Sequence, residues 1–234
     1  MSWTHEVETP ARSRQIVLVS LLCAAAIFYS TWILEFVLFD VESPVGYVSE
    51  LSARGQPFSW LFRTGDFLGG TAAGLAALLV LRRRPTPVLS AIAWVGMAAF
   101  GWFTVLDSLL PMSCAPHSDP QCAARLAEHE PLTDQIHLLT STVSTGGAIV
   151  SMLAFLVIAL KRPARWLLSR ICAFAATGLM VVSTVWTLAA VALDSLGKPA
   201  DLGTAQRVQL LTITTWLVYA AATMILARRN SGAR

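Results

Sequence analysis

The sequence predicts an all-α, polytopic membrane protein, a bundle of six transmembrane helices with both termini in the cytoplasm. Three observations carry this expectation. Of 234 residues, 55% are hydrophobic and only 13% are charged, against about 25% charged in soluble domains; mean hydropathy is +0.62. The apolar residues gather into six runs, at about 15–39, 65–81, 88–110, 135–160, 166–193 and 205–227. Each approaches or exceeds the roughly 20 residues that span about 30 Å of hydrocarbon as a helix, the form in which a single segment satisfies its own backbone in lipid. Finally, the basic residues are sorted between the run ends. Arg12, Arg14, Arg82, Arg83, Arg84, Lys161, Arg162, Arg165, Arg170, Arg228, Arg229 and Arg234 fall on one side, and Arg54, Arg63, Arg125, Lys198 and Arg207 on the other. The arginine-rich side is expected to be cytoplasmic. The organisation read from this is a cytoplasmic segment 1–14, a transmembrane domain 15–229 and a cytoplasmic tail 230–234.

The first run exceeds the 7–15 residues of a secretory h-region and lacks a small-x-small cleavage site, so it reads as a span. Glu35 lies about one turn from its outer end. The second run opens near Asp66 and reads "GDFLGGTAAG". Gly65 and Gly69, and Gly70 and Gly74, stand four apart, which lets helices approach closely; tight internal packing is expected here rather than a dimer face. The third run ends with Asp107 and "LP". Ionisable groups at membrane depth are costly and usually face a bundle interior or a wet cavity. The loop that follows, "LDSLLPMSCAPHSDPQC", holds Cys114 and Cys122. Outside the cytoplasm such a pair persists as a disulfide. The C-x7-C spacing fits a staple better than a zinc site drawing on His117 or His129, and both histidines are expected to be solvated.

In the fourth run, Asp134, His137, Ser141 and Ser144 step by three, four and three and so share one helical face. In the fifth, Ser183 and Thr187 step by four, with Asp194 at the end; in the sixth, Gln206, Gln209 and Thr212 repeat the pattern, beside Arg207. Cys23, Cys172, Trp32, Trp94 and Trp186 are expected in the core, and Trp60 and Trp166 at the interfaces. All six spans thus offer a polar group near the outer leaflet. Glu35, Ser49, Glu50, Asp66, Asp107, His137, Ser141, Asp194 and Arg207 are the candidate lining of one pocket, and a structural polar network is the alternative for Glu35, Asp107 and His137. The twelve acids from Glu35 to Asp201 lie on the outer side, so the sequence pI of 8.9 reflects a cytoplasmic fringe and not nucleic-acid binding.

The stretch "GYVSELSARGQPFSWLFRTGDFLGG", with Ser49, Glu50, Gly55, Pro57, Phe62, Gly65 and Asp66, resembles a family of six-span bacterial and archaeal membrane proteins known as domain of unknown function 998. So do Asp107 to Pro111 and the Ile136-His137 pair early in the fourth span. More distantly, Ser52, Gly55 and Pro57 look like the FRAG, DRAM and Sfk group. The resemblance implies a six-helix bundle in a prokaryotic plasma membrane, without a mechanism.

Three functions follow as expectations. One is a non-catalytic module that binds membrane lipid or a small ligand, or supports another membrane protein. Another is an intramembrane lipid hydrolase with Asp66, Asp107 and His137 as candidate catalytic groups, Ser49 or Ser141 as nucleophile, or zinc-activated water. The third is a small-solute or proton-coupled transporter, disfavoured because the inner halves of the second, third and sixth runs are apolar. No cofactor and no metal site is called for: there is no P-loop, dinucleotide fingerprint, HExxH or G-x-S-x-G motif.

Overall fold

The computed structural model describes residues 8–39, 46–82, 86–163 and 166–231, with side chains described between 13 and 226. It contains helices α1 (Glu8–Tyr29), α2 (Glu35–Leu38), α3 (Ser59–Leu81), α4 (Val88–Leu109), α5 (Pro120–Glu128), α6 (Leu132–Leu160), α7 (Leu167–Ser195) and α8 (Leu202–Ser231). Short 3-10 turns occupy Thr31–Leu34 and Val48–Ser52, and no strand is present among the described residues. Six segments are long and apolar enough to cross a membrane: Ser13–Leu38, Ser59–Leu81, Val88–Leu109, Leu132–Leu160, Leu167–Ser195 and Leu202–Leu226. The chain is therefore a multi-pass, all-helical membrane protein.

Helix neighbours form a closed ring: α1 packs on α3, α3 on α4, α4 on α6, α6 on α7, α7 on α8, and α8 returns to α1. Three bonds show the first span and α8 to be antiparallel. Gln15 donates to the Met224 carbonyl, Ser30 and Thr214 hydroxyls lie 3.0 Å apart, and Arg207 meets Glu35. One end of the bundle carries Arg14, Arg82 and Arg162; the other carries Cys114 and Cys122.

Local sequence sets the helix ends. Pro87 and Pro131 precede α4 and α6, where a residue with fixed φ and no N–H is tolerated. Asp119 caps α5 by accepting from the Gln121 N–H at 2.9 Å. After α7, Gly197 takes φ +65°; its N–H reaches the Asp194 carbonyl and the Lys198 N–H the Leu193 carbonyl, a Schellman closure that glycine adopts without a Cβ clash.

The interior is rich in small residues, set among a few large ones such as Leu22, Met97 and Trp216. Ala25, Ala73, Ala76, Ala93, Ala148 and Ala220 are fully buried, whereas large apolar residues such as Ile27, Leu138, Phe174 and Leu188 face outward. In lipid, burying Leu brings no hydrophobic gain, so close contact between small side chains carries the packing. The closest approaches are α3 to α4 at Gly70 and Gly101, and α4 to α6 at Gly96 and Gly147. A Cβ on Gly70 would lie 2.6 Å from the Gly101 carbonyl oxygen, and one on Gly96 2.7 Å from that of Gly147. Phe100, fully buried on α4, links the helices by edge contacts to Tyr29 of α1 and Trp216 of α8.

Several expectations need correction. Cys23 and Cys172 are exposed on the outer surface of the bundle, and Trp186 is 40% exposed there too. An apolar residue type does not distinguish the lipid-facing side from the interior when large apolar residues stand on both, Leu22, Met97 and Trp216 inside and Ile27, Phe174 and Leu188 outside. The second span begins at Ser59, so Asp66 lies two turns inside it. The first span is not one straight helix: α1 stops at Tyr29, and a 3-10 turn leads into α2.

Gly101→Val is expected to lower bundle stability by about 1–3 kcal/mol, the usual cost of overpacking. Gly178→Ala, with no atom within 4 Å of the added Cβ, is expected to leave it unchanged or raise it. Thermal unfolding in detergent reads both.

Candidate ligand pocket at the cysteine end

At the cysteine end residues 46–58, which lead into α3, fold over the bundle and roof it. The turn at Gly46 has φ +77°, and a Cβ there would lie 2.7 Å from both the Glu50 carboxylate and the His117 Cβ. The Val48–Ser52 turn then aims Glu50 back at its own start. Its carboxylate accepts from the Tyr47 N–H at 3.1 Å, the His117 N–H at 3.1 Å and His117 Nδ1 at 2.5 Å. His117 Nε2 lies 3.4 Å from Asp194 Oδ2 at the end of α7. One imidazole therefore joins the roof, the cysteine loop and α7. The Tyr47 ring meets it edge-on at 5.3 Å, and burial, then Asp194 and Glu50, push the Tyr47 phenol pKa up. The Val48 N–H donates to Gln206 Oε1 of α8 at 2.5 Å, and the Arg54 N–H to the Met112 carbonyl.

The loop carrying His117 is closed by the Cys114–Cys122 disulfide, with Cα atoms 6.0 Å apart, as the spacing predicts. Ser113 fastens the same loop to α6, donating to Asp134 from its backbone N–H at 2.6 Å and its hydroxyl at 2.5 Å.

Beside the roof, Glu35 and Arg207 form a bidentate pair, Nε to Oε1 at 2.5 Å and Nη2 to Oε2 at 2.6 Å. Nη1 donates to the carbonyls of Gly46 and Gly203. Glu35 is 1% and Arg207 5% exposed. Planar, bidentate geometry of this kind, with further acceptors on Nη1, is what a desolvated pair requires.

Beneath the roof lies a cavity of about 90 Å³, room for several water-sized groups. Asp66 of α3, Asp107 of α4 and Ser141, Ser144 and Thr145 of α6 line it, with Gln206 and Gln209 of α8, Tyr29 and Trp32 of the first span and Ser49 of the roof. No Lys, Arg or His is in the lining. Asp107 accepts from Thr140 and from Ser141, the latter at 3.0 Å to each oxygen, and His137 Nδ1 stands 3.2 Å away. The Thr104 and Ser144 hydroxyls, 2.7 Å apart, join α4 to α6 below.

Of the nine residues expected to share a pocket, Ser49, Asp66, Asp107 and Ser141 line this cavity. His137 stands behind Asp107, close to the Leu110 carbonyl as well. Glu35 and Arg207 engage each other, and Glu50 and Asp194 engage His117. His117 is thus not the solvated loop histidine that the sequence suggests; nothing in its Pro/Ser/Asp surroundings marks partners 67 and 77 positions away. Ser141 donates to a carboxylate and Ser49 to the Met112 sulfur, so neither hydroxyl is bonded to a histidine. Among the described residues, no three His, Cys, Asp or Glu side chains converge to hold one metal ion.

Two substitutions test this arrangement. Arg207→Ala leaves Glu35 buried and unpaired and is expected to destabilise the protein by about 3–5 kcal/mol; the Glu35→Leu/Arg207→Leu double variant should lose less than the single, in a thermal double-variant cycle. His117→Ala, read with a Ser49→Cys reporter, should raise the labelling rate by a water-soluble maleimide several-fold. An unchanged rate would show the roof to be held without the imidazole.

No curated protein and no solved structure matches the chain. The family described as "Protein of unknown function (DUF998)" matches residues 22–223, which include all of the bundle but the N-terminal part of α1 and the last residues of α8. With six membrane-crossing helices around a pocket at one end, the chain belongs to this DUF998 family.

Proposed function

We propose that this protein is a non-catalytic membrane module whose pocket receives a small amine or cationic group, carried by a lipid headgroup or a free solute. The observation that carries the reading is the pairing of Asp66 and Asp107 in one cavity whose lining has no basic side chain. Two carboxylates near membrane depth favour a cation between them, and the hydroxyl and amide groups around them supply further oxygen acceptors. The cavity has room for a primary ammonium.

Two independent features support an extracytoplasmic position for the pocket. The basic residues crowd the opposite end, and a disulfide persists in an oxidising compartment. On this reading the termini are cytoplasmic, the membrane is a prokaryotic plasma membrane, and the ligand enters from the outer leaflet. The hydrolase alternative rests on the Asp107–His137 contact at 3.2 Å, but the imidazole stands behind the carboxylate and outside the cavity lining.

Native mass spectrometry in mild detergent, with metal analysis of the same sample, tests this. Wild type is expected to retain phosphatidylethanolamine over phosphatidylcholine, whose quaternary amine has no N–H to donate, or to retain a cation or free amine if the ligand is a solute. Asp66→Asn and Asp107→Asn should each reduce that occupancy about tenfold, the worth of one charged contact. Equal occupancy in wild type and both variants would overturn the reading. Bound zinc that is lost with His137→Ala would favour the hydrolase.

A further inference from the structure

At the end of the bundle away from the pocket, two arginines beside the α6–α7 junction have no anionic partner among the described residues. Arg162 follows the C-terminus of α6, and Arg170 lies in the first turn of α7. Arg170 Nη2 donates to the Arg162 backbone carbonyl, which sets the Arg170 guanidinium against the end of the α6 turn that carries Arg162. The Arg162 guanidinium carbon lies 4.7 Å from the centre of the Trp166 ring. Arg162 Nη1 and Arg170 Nε are both buried without a hydrogen-bond partner, a costly state for charged donors.

The surroundings also favour an anion. Every ion pair among the described residues, namely Glu50–His117–Asp194, Asp119–Arg125, Asp107–His137 and Glu35–Arg207, lies at the cysteine end. The first turn of α7 has no acidic residue and no side-chain cap, so the positive end of a 29-residue helix adds to the two guanidinium charges. Trp166 stands where a helix leaves the membrane, the level of lipid headgroups.

We propose that Arg162 and Arg170, with Trp166 as a platform, bind the phosphate of an anionic lipid headgroup. A phosphate oxygen accepts from two guanidinium groups at once, and basic pockets at the ends of membrane helices take such headgroups. Both side chains have long flexible stems, so aiming them at a phosphate requires no helix movement. The site is independent of the cavity at the other end, and its test does not depend on that cavity's ligand.

The test uses the full chain in nanodiscs of mixed phosphatidylglycerol and phosphatidylcholine, with bound lipid read by native mass spectrometry. Wild type is expected to retain phosphatidylglycerol selectively. The R162Q/R170Q variant should lose that selectivity about tenfold, while R14Q, an exposed arginine at the same end, keeps it. R162K/R170K retains the charge without the planar fork and is expected to fall between them, which covers the case in which the glutamine variant folds poorly. Equal selectivity in wild type and both double variants overturns the site. Binding of inorganic phosphate by wild type with no preference between the two lipids overturns the headgroup assignment.

Discussion

A carboxylate and a guanidinium buried together near the membrane surface organise this end of the molecule. Desolvating either charge alone costs several kcal/mol, so Glu35 and Arg207 fix each other's position. The consequence reaches beyond the pair. Glu35 sits where the first span breaks into a 3-10 turn and α2, and Arg207 sits on α8, so the bond closes the helix ring between its first and last members. The remaining N–H groups hold Gly46 and Gly203, and Gly46 is where the roof over the cavity begins. Roof, first span and last span are thereby tied to one ion pair.

The rest of the bundle follows from the poverty of driving forces in lipid. Where burying a leucine brings nothing, helices associate through close contact of small residues and through hydrogen bonds across the interface. The Gly70–Gly101 and Gly96–Gly147 crossings bring α3, α4 and α6 close enough for Thr104 to meet Ser144 and for Ser141 to reach Asp107. Packing and polar chemistry are the same event here: the approach that glycine permits is what places short hydroxyl side chains within bonding distance. At the cysteine end the helices leave room, and the space is lined by polar groups under a roof fastened through His117.

The two ends of the molecule are electrostatic opposites. The cysteine end holds every described ion pair and the carboxylate-lined cavity, while the arginine end holds guanidinium donors that pair with no acid among the described side chains. A cation-binding pocket at one membrane surface and a phosphate-binding turn at the other would give the protein a fixed relation to both leaflets.

The sequence by itself determines the class, the span count, the cysteine staple and the helical face on which Asp134, His137 and Ser144 turn inward. These are local properties: the length of an apolar run, a short cysteine spacing and a periodicity of 3.6. Tertiary structure alone decides who meets whom. Glu35 and Arg207 are 172 positions apart, and each is only a polar residue near a helix end until the ring closes. His117 reads as a loop histidine until folding brings Glu50 and Asp194 to its two nitrogens. Cys23, Cys172 and Trp186 point outward for a related reason. Apolarity marks core in water, but in lipid both faces of a helix are apolar, and inside is chosen by which small residues allow two backbones to touch.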